Sequence, residues 1–382
     1  MEELVAPATP WKGRRVFLTG HTGFKGGWLA LWLSWLGAEV RGYALDPSTT
    51  PSLFEAAGVG AVVDDVRGDI RDAAKLEKAM QEFAPEVVFH LAAQPLVRYS
   101  YQDPIGTYET NVIGTARVLD AVRRTPSVRA VVSVTTDKCY ENKEWIWPYR
   151  ETDPLGGYDP YSASKACAEI VSASFRQSFF PVEQLRLPGG HQVAVATGRA
   201  GNVIGGGDWS TDRLIPDLVR GFLSGAPVSI RRPHSIRPWQ HVLEPLHGYM
   251  TLALKLLEPD AARFATAYNF GPTEDDARPV AWIADRMTRF WGDGASWVLD
   301  EDPNAPHEAT YLKLDASRAR HDLAWVPRLR LETALGWLVE WYRVWQSSPN
   351  SIRTFTLSQI AQYHRLSHED EATAALPKQR QD

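Results

Sequence analysis

The sequence predicts an α/β protein: a doubly wound parallel sheet with a smaller mixed α/β unit covering one end of it. Three observations carry this. Short apolar runs alternate with helical stretches through the first half of the chain. The first run ends in a glycine-rich turn, Thr19-Gly-His-Thr-Gly-Phe-Lys-Gly26. The second half is less regular, with long Gly-, Pro- and Arg-rich stretches between its few apolar runs. Hydrophobic residues make up 44% of 382, enough for a large core, which excludes a disordered or low-complexity chain.

Arg15–Thr19 reads as the first strand because a short apolar run leads straight into glycine. Trp28–Leu36 is an apolar helix with Gly37 as its stop, and Glu39–Leu45 is the second strand. Asp72–Phe83 is an amphipathic helix closed by Pro85. Strands at Glu86–Ala92 and Ala130–Thr135 flank a helical Tyr108–Arg124, and Val193–Thr197 and Thr266–Phe270 complete the set. Parallel strands covered on both faces take such near-continuous apolar runs. Gly205–Pro238 and Pro272–Pro306 read as loops of the smaller unit. The expected division is 10–205 with 236–275 for nucleotide binding, and 206–235 with 276–360 for substrate. Trp337, Trp341 and Trp345 recur every four residues, the pattern of a packed helix face rather than a binding stripe. Residues 367–382 are polar and are expected to form a flexible tail.

Forty-one basic and 46 acidic side chains give a mixed net charge of −5, so no nucleic-acid surface is implied. Cys139 and Cys167 build neither a disulfide framework nor a closed zinc site. His21, His90 and His241 lie near motifs but lack ligand spacing, so no metal is expected. Glu2 and Glu3 stand where a signal peptide carries positive charge, and Trp28–Leu36 is about half the length of a membrane span. A cytoplasmic protein without membrane contact is the expectation.

Glycines between a strand and a helix permit a tight turn and bring a pyrophosphate onto backbone N–H groups at the helix N-terminus. Here the spacing is G-x-x-G-x-x-G, and no Gly-Lys-Ser/Thr follows, which excludes a P-loop. Gly20, Thr22, Gly23, Phe24 and Gly26 are therefore candidates for a dinucleotide cradle in a Rossmann-type sheet. Asp46 lies about 20 residues beyond Gly26, where an acid holds adenosine ribose hydroxyls and repels a 2′-phosphate, favouring NAD over NADP. A solvated turn aspartate before Pro47 is the alternative. Asp69 and Ile70 follow a third strand and could border the adenine. Tyr161 and Lys165, four residues apart, share a helix face. A nearby ammonium and a positive nicotinamide would favour the phenolate, making Tyr161 a base toward a sugar hydroxyl, with a Ser/Thr hydroxyl at a strand end as its helper.

That hydroxyl stands in Val134-Thr-Thr-Asp-Lys-Cys-Tyr140. Together with Thr19–Gly26, His90-Leu-Ala-Ala93, Asn111-Val-Ile-Gly-Thr115, Tyr161–Lys165 and Arg199–Gly205, this stretch resembles the extended short-chain dehydrogenase/reductases, specifically the nucleotide-sugar 4,6-dehydratases. Many of those carry Asp-Glu where this chain has Asp137-Lys138. Asp-Lys is similar to the CDP-glucose branch, as are His21–Gly26, Leu91-Ala-Ala-Gln-Pro95 and Gly205-Gly-Gly-Asp-Trp209. The resemblance implies a bound NAD and conversion of CDP-D-glucose to CDP-4-keto-6-deoxy-D-glucose plus water. In it Tyr161, with Thr136 and Lys165, serves C4 oxidation. Lys138 is the C5 base, neutral when it acts, and Asp137 the acid toward the C6 hydroxyl. It also implies Ala92 beside the cofactor, and Asn202, Arg213, Arg237 and Asn269 around the nucleotide-diphosphate hexose. Such proteins are homodimers, and the helices after Tyr108 and Tyr158 are apolar enough to pack against a second copy. A nucleotide-sugar 4-epimerase, a dehydratase acting on a dTDP, GDP or UDP sugar, and an NAD-binding sensor that has lost catalysis are the rival readings.

Overall fold

The computed structural model describes residues 9–292, 294–300 and 310–374. Its centre is a seven-stranded parallel sheet. Six strands are β1 (Arg15–Thr19), β2 (Glu39–Ala44), β3 (Asp64–Arg67), β4 (Val87–His90), β5 (Ala130–Val134) and β6 (Ala194–Ala200); Ala267–Phe270 is the seventh. From one edge the order is Ala267–Phe270, β6, β5, β4, β1, β2, β3. The chain thus works outward from β1 to β3, then crosses back to β4 and builds the other half. The reversal lies between β1 and β4, whose last residues, Thr19 and His90, pair with each other. Ligands in such sheets sit at this crevice, beyond the strands' carboxyl ends.

Alternation along β1 sends side chains to two separate cores. Val16 and Leu18 pack with Trp28, Leu29 and Trp32 of the first helix, while Phe17 packs with Leu76, Met80, Val118 and Val122 on the other face. The first helix, Phe24–Trp35, starts earlier than its apolar run because the glycine turn itself opens it, with Gly23 at the N-cap. The Asp72 carboxylate accepts from Lys75 N at 3.1 Å and caps Ala73–Phe83. The helix expected from Tyr108 begins at Pro104 and passes through a π turn at Glu109–Ile113 before Gly114–Arg123.

The largest departure is in the stretches read as loops. Each holds an amphipathic helix: Leu214–Ser224, burying Ile215, Leu218, Val219 and Phe222, and Val280–Trp291, burying Ile283, Ala284 and Met287. Pro216 lies in the first turn of the former, where a proline costs no intrahelical bond. Short strands bind the two stretches together: Ile236–Pro238 pairs antiparallel with Ala277–Pro279, and Val228–Ile230 pairs with Trp297–Leu299. Residues 301–309, part of the second stretch, lie outside the described residues.

The tryptophan stripe is a packing face. Trp341 is buried and donates to Thr356 Oγ1 at 2.9 Å, and Trp345 lies 4.6 Å from Trp209, ring centre to ring centre. The segment expected to be flexible from Ser367 continues the helix Ile352–Ala374, which lays Tyr363 edge-on against Trp32; residues 375–382 lie outside the described residues. Among the described residues no helix is long and apolar enough to cross a membrane.

Candidate active site

The glycine turn is held by one hydroxyl. Thr19 Oγ1 accepts from Leu91 N (3.1 Å) and Ala92 N (3.2 Å) and lies 2.8 Å from His90 Nδ1. Burial keeps the His90 imidazole neutral, its pKa pushed down to about 3. Thr115 Oγ1 lies 3.0 Å from His90 Nε2 and donates its own proton to Asn111 O. His90 Nε2–H therefore donates to Thr115, and Nδ1 accepts from Thr19. This network draws β1 and β4 together so closely that a Cβ on Gly20, whose φ is +82°, would stand 2.7 Å from Ala92 N. A Cβ on Gly26 would stand 2.0 Å from Gly20 O.

The N-terminus of the first helix has no side-chain cap and no acid in its first turn, so its N–H groups suit a pyrophosphate. Thr22 donates to Leu45 O at 2.9 Å and ties the turn to the end of β2. Asp46 is exposed just after the end of β2 beside Arg67, 3.4 Å away. Arg71 holds the Asp69 carboxyl below its usual range, and Ile70 is buried against Gly114. His21 turns away from the crevice: its ring lies over Gly42 and its Nε2 is 2.8 Å from Asp65. Among the described residues no cluster of His, Cys, Asp or Glu suits a metal ion.

The Thr-Thr-Asp-Lys segment leaves β5 at Val134 and makes a 3-10 turn at Asp137–Cys139, with the Thr136 side chain accepting from Lys138 N. Asp137 is 2% exposed; its Oδ1 accepts from Thr136 Oγ1 at 3.0 Å and its Oδ2 has no protein partner. Burial raises its pKa against the opposing pull of Lys138, Thr136 and Arg237. A Cβ at Gly201 would lie 2.5 Å from Pro238 Cγ and 2.9 Å from Asp137 Oδ2, so a side chain there forces its neighbours to shift. Lys138 is half-buried beside it.

Tyr161 opens the helix Pro160–Ser178, which Asp159 caps. Burial raises the phenol to about 12, opposed by a hydrogen bond with Thr136 and by Arg213. The expectation joined the Lys165 ammonium to a positive nicotinamide as the two groups that favour the phenolate. In the protein alone burial outweighs Tyr161's neighbours, and Lys165 Nζ donates to Val134 O at 3.2 Å, its own pKa lowered to about 8 by burial. Arg213 bonds Asp208 at 3.1 Å, and Arg237, 8% exposed, acts on Asp137. Arg213 thus acts on Tyr161 and Arg237 on Asp137. Asn202 gives its backbone carbonyl to Gln240 N.

Asn269 does not join the site. It is wholly buried, accepts from Tyr140 OH and donates to Tyr149 O and Asp315 O, so its amide is consumed by protein contacts. It was expected among the substrate contacts only because the resemblance to nucleotide-sugar dehydratases implied it.

Sequence reasoning missed several neighbours. Lys25 donates to Tyr249 OH at 3.1 Å, and burial, with Lys165 and Arg213 nearby, pulls its pKa down to about 7. A lysine inside the glycine-rich turn was the available signal. Glu169 continues the Tyr161–Lys165 face by one further turn and pairs with Arg199 at 2.8 Å. A buried acid at that spacing was legible but unassigned.

A dinucleotide cradle at the switch point of a parallel sheet, facing a Tyr–Lys helix and a buried Thr–Asp turn, defines a nucleotide-dependent oxidoreductase-type scaffold equipped for proton transfer. The family described as GDP-mannose 4,6 dehydratase matches residues 17–336, and the chain belongs to it. The chain is 55% identical over 335 residues to the CDP-glucose 4,6-dehydratase of Salmonella typhimurium, covering 88% of this chain and 92% of that one. Among solved structures, dTDP-glucose 4,6-dehydratase of Bacillus anthracis in complex with NAD matches with a TM-score of 0.69 and 20% identity, covering 88% and 98% of the two chains. UDP-glucose 4-epimerase of Thermotoga maritima matches at 0.72 and 21%, covering 86% and 98%. These two show the shared fold.

Proposed function

We propose that this protein catalyses the NAD-dependent intramolecular redox dehydration of CDP-D-glucose to CDP-4-keto-6-deoxy-D-glucose and water. The observation that carries the reading is Asp137: a buried carboxyl with a raised pKa and one unpartnered oxygen, bonded to the same Thr136 that serves Tyr161. A 4-epimerase needs no proton donor toward C6, whereas a dehydratase does. The 55% identity to a CDP-glucose 4,6-dehydratase supports the nucleotide.

Bound in the cradle, NAD supplies a hydride acceptor for C4 and a hydride donor for C6. Gly20, Thr22, Gly23, Phe24 and Gly26 would cradle its pyrophosphate, Asp46 would hold the ribose, Asp69 with Ile70 would border the adenine, and Ala92 would lie beside the cofactor. Tyr161 takes the C4 hydroxyl proton with Thr136 and Lys165 beside it. The C4 ketone acidifies C5–H, Lys138 removes that proton, and Asp137 protonates the departing C6 hydroxyl. Lys138 then returns a proton to C5. Arg213 and Arg237 engage the diphosphate through charge-assisted bonds, with Asn202 alongside. The unit 206–235 with 276–360 would bind the substrate and keep water from the reaction.

The reading includes a cytoplasmic homodimer. Exposed Ile105, Ile113 and Ile170 on the helices after β4 and at Tyr161 support the second copy, and two free cysteines suit a reducing compartment.

The test is turnover of CDP-, dTDP-, GDP- and UDP-glucose deuterated at C4. A 4-keto-6-deoxy product from the CDP sugar, carrying the label at C6, is expected. A stereoisomer of unchanged mass, or label that never reaches C6, overturns the reading. A preference for another nucleotide overturns only the choice of base.

A further inference from the structure

The Val134–Tyr140 segment, which carries Thr136, Asp137 and Lys138, is gripped at both ends by one buried ion pair. Glu169 and Arg199 are 4% and 3% exposed and meet at 2.8 Å. Glu169 Oε1 accepts from Thr135 Oγ1 at 2.5 Å, at the start of the segment, and Oε2 accepts from Thr197 Oγ1 at 2.8 Å. Arg199 Nη1 donates to Tyr140 OH at 2.8 Å, at its end, and Tyr140 OH donates onward to Asn269 Oδ1 at 2.7 Å. The Arg199 guanidinium also lies over the Tyr140 ring, 5.1 Å from its centre, and Tyr140 stacks on Tyr149 at 5.2 Å. No substrate or cofactor contact falls to this pair in the proposed mechanism, yet taking two charges out of water is costly unless geometry repays it.

We propose that Glu169–Arg199 is a positioning pair that sets the acid–base segment for the elimination half of the reaction. The proposal rests on the dehydratase reading. In that step the C5–H electron pair forms the C5–C6 double bond, the proton goes to Lys138, and the C6–O bond breaks as Asp137 supplies the proton that completes water. Both residues that move protons here sit inside the gripped segment. Tyr161, which serves C4 oxidation, sits on a separate helix and only its partner Thr136 belongs to the segment, so loosening the grip slows elimination more than the first hydride transfer.

Arg199→Lys keeps the charge opposite Glu169 but loses the fork that spans Glu169 and Tyr140. Tyr140→Phe removes only the hydroxyl, so it tests the same link should the lysine variant fail to fold. In each, product formation from CDP-glucose is expected to fall about 10- to 100-fold, the cost of a displacement of about 1 Å at reacting groups. Reduced nicotinamide, read by its absorbance, is expected to form with a smaller loss of rate than product formation shows, and so to accumulate. Nicotinamide reduction slowed by the same factor as product formation, or unchanged product formation, overturns the proposal. Amide hydrogen exchange supplies an arm independent of turnover: faster exchange confined to 134–140 supports the grip, and unchanged protection there defeats it. A wild-type protein that dehydrates no CDP-glucose defeats the functional reading instead.

Discussion

Asp137→Asn isolates the acid step. Asparagine matches aspartate in size and keeps an oxygen for the Thr136 hydroxyl, which now lies 3.0 Å from Oδ1, so the 3-10 turn at 137–139 stays in place. What it lacks is a releasable proton. Burial holds the wild-type carboxyl above its ordinary pKa, so the protonated acid persists to higher pH than a solvent-exposed aspartate would allow. A positioned general acid contributes about 10²- to 10⁴-fold, or about 3–5 kcal/mol of barrier. The variant is therefore expected to lose that much in kcat for 4-keto-6-deoxy product, with nicotinamide reduction at C4 still detectable. The pH profile supplies the sign. In the wild type the rate falls as Asp137 loses its proton on the alkaline side, and in the variant this limb disappears. Stability is expected to hold or rise, because a buried ionisable group has been removed. Product formation within about threefold of wild type refutes the assignment of Asp137 as the proton donor, since an amide cannot supply the contribution expected of an acid.

Tyr161→Phe is expected to lower turnover by about 10²- to 10⁴-fold while leaving NAD bound, as measured by fluorescence titration; unaltered turnover removes Tyr161 from the base role. Gly26→Ala drives a methyl to 2.0 Å from Gly20 O, so NAD affinity is expected to collapse, with a stability loss of about 1–3 kcal/mol in denaturant unfolding. Glu244, wholly buried under Leu329 N (2.6 Å), Arg328 N (2.8 Å) and Tyr363 OH (2.7 Å), has its pKa raised to about 7 by burial. A raised folded pKa means that its stability contribution is full below the unfolded value of 4.5 and is lost as pH rises through about 7. Thermal unfolding is expected to show a decline worth about 3 kcal/mol between pH 5 and 8, which Glu244→Gln flattens.

β1, β4 and β5 were legible because both of their faces are buried, so their residues are apolar almost without interruption; β3, Asp-Asp-Val-Arg at the sheet edge, carries no such run. The glycine turn was legible for a related reason, since backbone packed against backbone leaves a Cβ no room, as at Gly20 and Gly26. The helices Leu214–Ser224 and Val280–Trp291 were not, because glycines, prolines and arginines around them obscure a periodicity that only their packing reveals.

Local sequence also determined that Tyr161 and Lys165 share a helix face, because four residues make one turn. It left undecided what each of them touches. Lys165 reaches a backbone carbonyl, Asn269 is absorbed into the core, and Lys25 arrives beside Lys165 from a turn 140 positions away. The same is true of Glu169 and Arg199, 30 residues apart in sequence and 2.8 Å apart in space. Periodicity is a property of neighbours along the chain, whereas burial and charge pairing depend on which distant segments the sheet order brings together.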